Sequence, residues 1–254
     1  MGAAIKVMSA YTGKYWDTKN SAIAKHPYRD TMHEYKRFCY DEALRGYHGD
    51  RVLITDLFDE AFDCHNLFDR QYIEGNVAVG MDISRKIAHR VKENYPDALI
   101  VCCDVRALPF KQDHFDLVLS PSTLDHFPEY DLELSLKELK RVTNSQGKMF
   151  ITLGNKHNLW LHYSVLNWFN LVPYDVFTFG RKDLLHICKK IGLAESSVAT
   201  MCHLPIPYVT SKFMNTLRLF NTKTRKQVFH LIEKLKNLPS RFITSEFLVI
   251  RAVK

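Results

Sequence analysis

The chain is predicted to fold as an α/β domain built on a doubly wound, mostly parallel sheet. Short apolar runs alternate along its middle with segments whose apolar residues recur at helical spacing. Three of these runs end in or just before an acid, at Asp56, Asp82 and Asp104. Strands that alternate with helices favour a parallel sheet with right-handed crossovers, so these acids are expected along one edge.

The first half of the predicted domain has clear element boundaries. An aromatic N-terminal segment, Met1–His48, is predicted to be helical and to end at the turn Gly46–Asp50. Strands are predicted at Arg51–Asp56, Asn76–Asp82, Ala98–Cys103, Phe115–Ser120 and Lys148–Leu153. Helices are predicted at Ile83–Tyr95, with Ser84 as N-cap and Pro96 as its stop, and at Leu132–Val142. Asn144–Gly147 is predicted to be a turn.

The pattern changes after the fifth strand. Asn155–Asn170 is predicted to be a helical insert, and Arg181–Ile191 an amphipathic helix that ends at Gly192. Two further strands are predicted at Glu195–Met201 and Ser245–Val253. The intervening segment, roughly His203–Arg241, is much longer than a hairpin loop and is expected to cover an edge or the mouth of a site.

Composition restricts the class of protein. With 254 residues, 46% of them hydrophobic, the chain can bury a sizeable core. No metal site is expected, because the six cysteines lack metal-ligand spacing; Cys102 and Cys103 are interpreted as core thiols. Reduced thiols favour the cytoplasm. No signal peptide is expected, and the most apolar long stretch, Leu159–Val172, is too short and too polar to span a bilayer.

The formal charge of +7 leaves contact with an anionic membrane surface open, and nucleic-acid binding is not favoured. The densest basic stretch, Lys212–Lys236, also carries apolar residues at helical spacing. It is interpreted as helices that pack on the domain and present a basic outer face.

The string D-V-R-A-L-P-F-K-Q-D-H-F-D-L-V-L-S, Asp104 to Ser120, is the most informative part of the chain. Ligands of parallel sheets bind outside the carboxyl ends of the strands. An acid there can accept a hydrogen bond from a ligand amine, and the apolar residues after it can hold a flat ring. A buried strand followed by a polar turn would give the same pattern without a ligand.

The whole string resembles the adenine-binding loop of class I S-adenosylmethionine-dependent methyltransferases of the small-molecule (type 11) kind. The resemblance implies a seven-stranded sheet with a terminal antiparallel pair, helical caps, and S-adenosyl-L-methionine as cofactor. It implies one domain, 1–254, with an N-terminal cap (1–48), a cofactor-binding core (51–153) and capping inserts (154–180 and 203–241). It places Asp104 and Val105 at the adenine and Asp82 and Ile83 at the ribose, and it adds Ser120 to the cofactor site.

The turn after the first strand departs from the family pattern, which is rich in glycine. No glycine occurs between Val52 and Gly75. Either Asp56 and the amides of Leu57 and Phe58 replace the glycine turn, or cofactor binding has been lost. The string T-D-L-F-x-E-A is similar to a variant first motif of this superfamily and favours retained binding. Asp56 would then meet the cofactor's ammonium group; it could also cap the next helix.

Methyl transfer requires alignment of a nucleophile, and a general base only where the acceptor is protonated. The base candidates are His126, Asp125 and His203. A structural role is favoured for each one taken alone, and His126 is preferred among them because it directly follows strand four. Aromatic residues in the cap segments favour a small, flat or apolar acceptor; they are Trp16, Trp160, Trp168, Phe169 and Tyr174.

Other enzyme classes are not supported. The chain lacks the G-x-G-x-x-G turn of nicotinamide-dependent enzymes, a P-loop and a G-x-S-x-G elbow. A non-catalytic descendant that serves as a binding or assembly subunit is the alternative, because it would tolerate the altered first motif. The sequence predicts neither the acceptor nor the oligomeric state.

Overall fold

The computed structural model describes residues 13–23, 29–62, 67–68, 77–158, 177–193, 195–203 and 216–254. Within these residues, seven strands form one sheet of order β3-β2-β1-β4-β5-β7-β6. Strands β1 to β5 are parallel, and β7 runs antiparallel to both β5 and β6. The predicted doubly wound, seven-stranded sheet is confirmed.

The strands are β1 (Arg51–Thr55), β2 (Val77–Asp82), β3 (Leu99–Cys102), β4 (Phe115–Ser120), β5 (Thr143–Gly154), β6 (Glu195–Met201) and β7 (Phe247–Val253). The α-helices are α1 (Gly13–Ile23), α2 (Arg29–Ala43), α3 (Phe58–Ala61), α4 (Arg85–Asn94), α5 (Glu129–Val142), α6 (Arg181–Lys190), α7 (Thr222–Glu233) and α8 (Arg241–Thr244). Short 3₁₀ helices occur at Leu124–His126 and Lys234–Asn237.

The sheet separates two apolar cores. Because successive strand residues face opposite sides, Leu53 joins the core shared with α5 and α6, whereas its neighbours Val52 and Ile54 join the core shared with α2 and α4. Phe229 of α7 packs in this second core against Tyr35 and other residues of α2. The central strands are therefore covered on both faces, as a parallel sheet requires.

Several predicted boundaries are confirmed. Strands β4 and β6 have the predicted limits, and Ser84 caps α4 by accepting a hydrogen bond from the Ile87 amide (3.2 Å). Helix α6 ends before Gly192, which has φ +76° and closes the helix in the left-handed conformation. Within the predicted N-terminal cap the structure describes two helices, α1 and α2.

Two predictions were wrong. Asn144–Gly147 is not a separate turn: the backbone enters β5 at Thr143, and its pairing with β4 shifts register between Phe115 and Leu117, so the extra residues form an irregularity within the strand. Cys102 is not a core thiol, since it is exposed, whereas the half-buried Cys103 packs against the core. Cys102 ends β3, which lies at the edge of the sheet and pairs with no strand on its outer side among the described residues.

The predicted insert Asn155–Asn170 is described only at its start, where Asn155 forms an isolated bridge with Phe179 and no helix. Trp160, Trp168, Phe169 and Tyr174 lie outside the described residues. No helix among the described ranges is both long and apolar enough to cross a membrane.

Candidate functional site

A cavity of about 250 Å³ opens at the carboxyl edge of the sheet. Its walls come from the ends of β1, β2 and β3, the loop after β4, and the cap helices α1 and α2. The site residues predicted from sequence that line it are Asp56, Phe58, Asp82, Ile83, Asp104, Val105 and His126. The topology thus brings together side chains up to 70 positions apart in the chain.

Asp56 makes the turn that glycines make in the family pattern. It follows β1 with φ +64°, in the left-handed region that Asp and Asn tolerate better than other residues with a side chain. Its amide donates to the Met81 carbonyl (3.1 Å), and its Oδ1 accepts from the Phe58 amide (3.0 Å). The chain therefore turns sharply at the cavity wall without glycine and leaves a carboxylate there.

Asp82 joins this turn to the start of α4. Its Oδ2 accepts from the Leu57 amide (3.0 Å), and its Oδ1 accepts from the Ser84 amide (2.8 Å). Burial raises the pKa of Asp82 to about 6, although these amides oppose the shift and Asp17 adds to it. Each oxygen keeps lone-pair capacity for a ligand hydroxyl at the cavity.

Asp104 is held by an ion pair at the end of β3. Arg106 donates to both carboxylate oxygens, at 2.7 Å through its Nη2 and 3.0 Å through its Nε, and also pairs with Asp131 (3.2 Å). This arrangement fixes the rotamer of Asp104 while the carboxylate remains at the cavity wall. Val105 lies beside it, buried, with its side chain in the core.

The structure does not bring three of the predicted cofactor contacts into position. The Leu57 amide is occupied by Asp82 and the Phe58 amide by Asp56, so neither replaces the glycine turn as an open donor. Ser120 is fully buried, outside the cavity lining, and accepts a hydrogen bond from Thr55 (2.8 Å). Phe58 instead contributes its ring, which packs on Phe62.

The other half of the cavity comes from the caps and the loop after β4. Trp16 of α1 packs against His126 with ring centroids 4.6 Å apart, and Phe127 lies next to it. Sequence reasoning missed His33, Lys36 and Tyr40, which also line the cavity. Their spacing places them on one face of α2, but it does not indicate that this face lines the cavity.

Two of the three predicted general-base candidates lie away from the cavity. Asp125 is 3% exposed, and burial raises its pKa to about 8, with Lys36 and the Gly154 amide opposing the shift. His203 is fully buried; its amide donates to the hydroxyl of Tyr35 (2.9 Å), and its Nδ1 pairs with the hydroxyl of Thr244 (2.9 Å). Only His126 of the three faces the cavity.

The cavity is electrostatically divided. Its strand half carries five carboxyl groups: Asp56, Asp82 and Asp104 after the strands, and Asp59 and Glu60 on α3. Its cap half carries His33, Lys36 and His126. Burial, reinforced by Asp59, raises the pKa of Glu60 to about 8, and burial together with the charge of Asp82 raises that of Asp56. The strand half thus suits a ligand with positive charge.

Comparison with known proteins shows that the middle of the chain is similar to methyltransferase domains. Residues 64–151 match the family model described as "Methyltransferase domain". The malonyl-[acyl-carrier protein] O-methyltransferase of Halorhodospira halophila is 36% identical over 89 residues, which cover 34% of this chain and 29% of that protein. The match to the curated relatives spans only about 30% of their length.

Solved structures share the fold over most of the chain. The superposition on a possible histamine N-methyltransferase of Thermotoga maritima covers 87% of this chain and 91% of that protein, with 16% identity and a TM-score of 0.56. The magnesium protoporphyrin IX methyltransferase of Synechocystis, solved with bound S-adenosylhomocysteine, covers 88% and 84%, with 12% identity and a TM-score of 0.54. By its sheet order and these likenesses the chain has the fold of the class I S-adenosylmethionine-dependent methyltransferases, and its residues 64–151 are similar to a methyltransferase domain.

Proposed function

We propose that this protein transfers the methyl group of S-adenosylmethionine to a small acceptor with a flat or apolar ring. The observation that carries the proposal is the arrangement of acids from three adjacent strand ends along one cavity that also has aromatic and basic residues in its lining. The strand half matches the cofactor in charge and hydrogen-bonding capacity, and the cap half remains for the acceptor.

The residues present fit the cofactor. Asp82 can accept hydrogen bonds from the ribose hydroxyls, and Asp104 can accept one from the adenine amine, next to the apolar Val105. Asp56 can meet the ammonium group. Bound there, S-adenosylmethionine would supply an electrophilic methyl group on its sulfonium, while the protein aligns the acceptor and excludes water.

The acceptor half supports an aromatic ligand. Trp16 and Phe127 offer ring faces and edges, and His126 lies against Trp16 at the same wall. The named relatives act on different acceptors, so they do not specify the methylated atom.

Transfer of radiolabelled methyl from S-adenosylmethionine to a panel of phenols, aryl amines and aliphatic acids tests the proposal. Labelled aryl products are expected; cofactor binding without transfer to any acceptor would support the non-catalytic alternative instead.

We propose His126 as the general base for a protonated acceptor. Replacing it with glutamine should lower kcat by about 10²–10⁴-fold, because glutamine keeps hydrogen-bonding capacity but cannot take the proton. The affinity for S-adenosylhomocysteine should stay the same. His114→Gln, at the opposite end of β4, is the matched control and should leave kcat unchanged. Equal kcat values for both variants would exclude a base role for His126.

Cofactor affinity is expected to rise with pH between about 6 and 8. The raised pKa values of Asp82 (about 6) and Glu60 (about 8) mean that the empty site holds protons that a cationic ligand displaces. Asp82 and Glu60 also bind protons more tightly in the folded chain than in the unfolded chain. The free energy of unfolding of the ligand-free protein should therefore fall as pH rises from about 4 towards 8. Calorimetry in two buffers of different ionisation enthalpy measures the protons released. No proton release and a flat affinity profile would contradict the expectation.

A further inference from the structure

The positive charge of the protein is concentrated in one segment, residues 216–244. This segment contains seven Lys and Arg residues and one Glu, a net charge of +6, compared with +7 for the whole chain. The one acid, Glu233, is buried, where it accepts hydrogen bonds from the Tyr35 hydroxyl and from the His203 amide (3.0 Å). The outward face of the segment therefore presents cations without an acidic side chain of its own.

Helix α7 orients this charge. Residues three or four positions apart share a helix face, and the exposed face of α7 consists of Lys223, Lys226, Gln227, His230 and Leu231. The exposed Lys234 follows directly, at the start of the next 3₁₀ helix. The opposite face holds Phe229, which is fully buried against Tyr35 and Phe38 of α2. Packing on α2 thus holds the basic face outward.

Exposed apolar side chains accompany the cations. Of the eight large hydrophobic residues that are exposed in the described part of the chain, five lie in this segment: Leu219 (84%), Phe220 (47%), Leu231 (65%), Leu238 (46%) and Ile243 (40%). The segment's other basic residues include Arg225, which pairs with Glu34 at 2.6 Å. Six cations form no ion pair with any described residue: Arg218, Lys223, Lys226, Lys234, Lys236 and Arg241.

We infer that residues 216–244 form a surface that docks on an anionic phospholipid bilayer. Lysines and arginines attract anionic headgroups, and aliphatic side chains between them gain free energy by entering the interface. A nucleic acid would use the cations but leave Leu219, Leu231 and Ile243 in water. Single-stranded nucleic acids also bind largely through aromatic stacking, for which this surface exposes only Phe220. The combination of charge and aliphatic exposure favours lipid.

Co-sedimentation of the full chain with vesicles tests this inference without reference to methyl transfer. The wild-type protein should sediment with vesicles of phosphatidylcholine mixed with phosphatidylserine and much less with pure phosphatidylcholine, and added salt should release it. The double change Lys223→Gln and Lys226→Gln should weaken partitioning roughly 25-fold, about fivefold for each charge. Leu231→Ser should weaken it about tenfold or more, because the inserted side chain is lost.

Helix α6 provides the matched control. Lys182 and Lys189 are exposed on it, and the helix packs on the opposite face of the sheet through Leu184 and Ile187. Lys182→Gln with Lys189→Gln changes the net charge equally and should leave partitioning nearly unchanged. All the substitutions are on the surface, and thermal unfolding checks that each variant folds.

Three outcomes would overturn the inference. The wild-type protein could fail to sediment with phosphatidylserine vesicles, or the α6 double variant could lose as much binding as the α7 double variant. A single-stranded oligonucleotide could also compete the protein off the vesicles with a dependence on Lys223 and Lys226 but none on Leu231. That last result would assign the surface to nucleic acid.

Discussion

Replacing Asp82 with alanine is expected to weaken the binding of S-adenosylhomocysteine by about 10–150-fold, as expected for lost charged hydrogen bonds worth about 1.5–3 kcal/mol. Asp82 lies at the end of β2 and lines the cavity, and we propose that its oxygens accept from the ribose hydroxyls. Calorimetric titration of the purified variant measures the loss. Methylthioadenosine, which keeps the ribose, should lose affinity by a similar factor.

The same substitution should also destabilise the fold. Asp82→Ala leaves the buried Leu57 amide and the Ser84 amide without their acceptor, which costs about 1–3 kcal/mol for each donor that finds no water. Asp82→Asn keeps one acceptor oxygen and is the matched control; it should retain more stability than alanine while losing the charge. Wild-type affinity in both variants, each shown to be folded, would remove Asp82 from the cofactor site.

Loss of the Asp56 charge should weaken the binding of S-adenosylhomocysteine by about 10-fold or more, which is the effect expected when one charged hydrogen bond is lost. The backbone of Asp56 is in the left-handed region, so substitutions that tolerate this conformation can be compared with one that does not, and the effect on binding can be separated from the effect on folding. Asp56→Asn tolerates φ +64° and keeps an oxygen for the Phe58 amide, so it should keep the free energy of unfolding. Asp56→Gly tolerates the backbone but loses this acceptor, and Asp56→Ala loses both, so the free energy of unfolding should fall by about 1–3 kcal/mol in glycine and further in alanine. All three should lose affinity alike, because all three lack the carboxylate.

Methylthioadenosine distinguishes contact with the ammonium from shaping of the loop. It lacks the amino-acid portion of the cofactor, so its affinity should be almost the same for wild type, Asp56→Asn and Asp56→Gly. Titrations at pH 8 keep more of the wild-type carboxyl ionised, which matters because burial raises the pKa of Asp56. If the asparagine variant loses as much affinity for methylthioadenosine as for S-adenosylhomocysteine, Asp56 shapes the turn and does not contact the ammonium.

The sequence predicted the sheet because local patterns determine it. Strand β4 and the Ser84 cap depend on neighbours within a few residues, and both were placed correctly. The position of a strand within the sheet is not local. The apolar run that ends at Cys102 resembles a central strand, but the topology places it at an edge, where Cys102 is exposed.

The candidate site was predictable to the extent that it depends on strand ends. Asp56, Asp82 and Asp104 line the cavity because parallel strands end at one edge. The direction of a side chain within a loop is a tertiary property, so sequence could not separate His126, which faces the cavity, from the adjacent buried Asp125. The contribution of α2 required knowledge of how the cap docks on the sheet.

The most direct test of the central claim is a calorimetric titration of the wild-type chain with S-adenosylhomocysteine at pH 8, repeated with Asp82→Asn and Asp56→Asn. Saturable binding of one ligand per chain well below about 1 mM, weakened in both variants, is the expected result. Absence of binding by the folded wild-type protein at millimolar ligand would contradict the assignment of this cavity to the cofactor and, with it, the proposed methyl transfer.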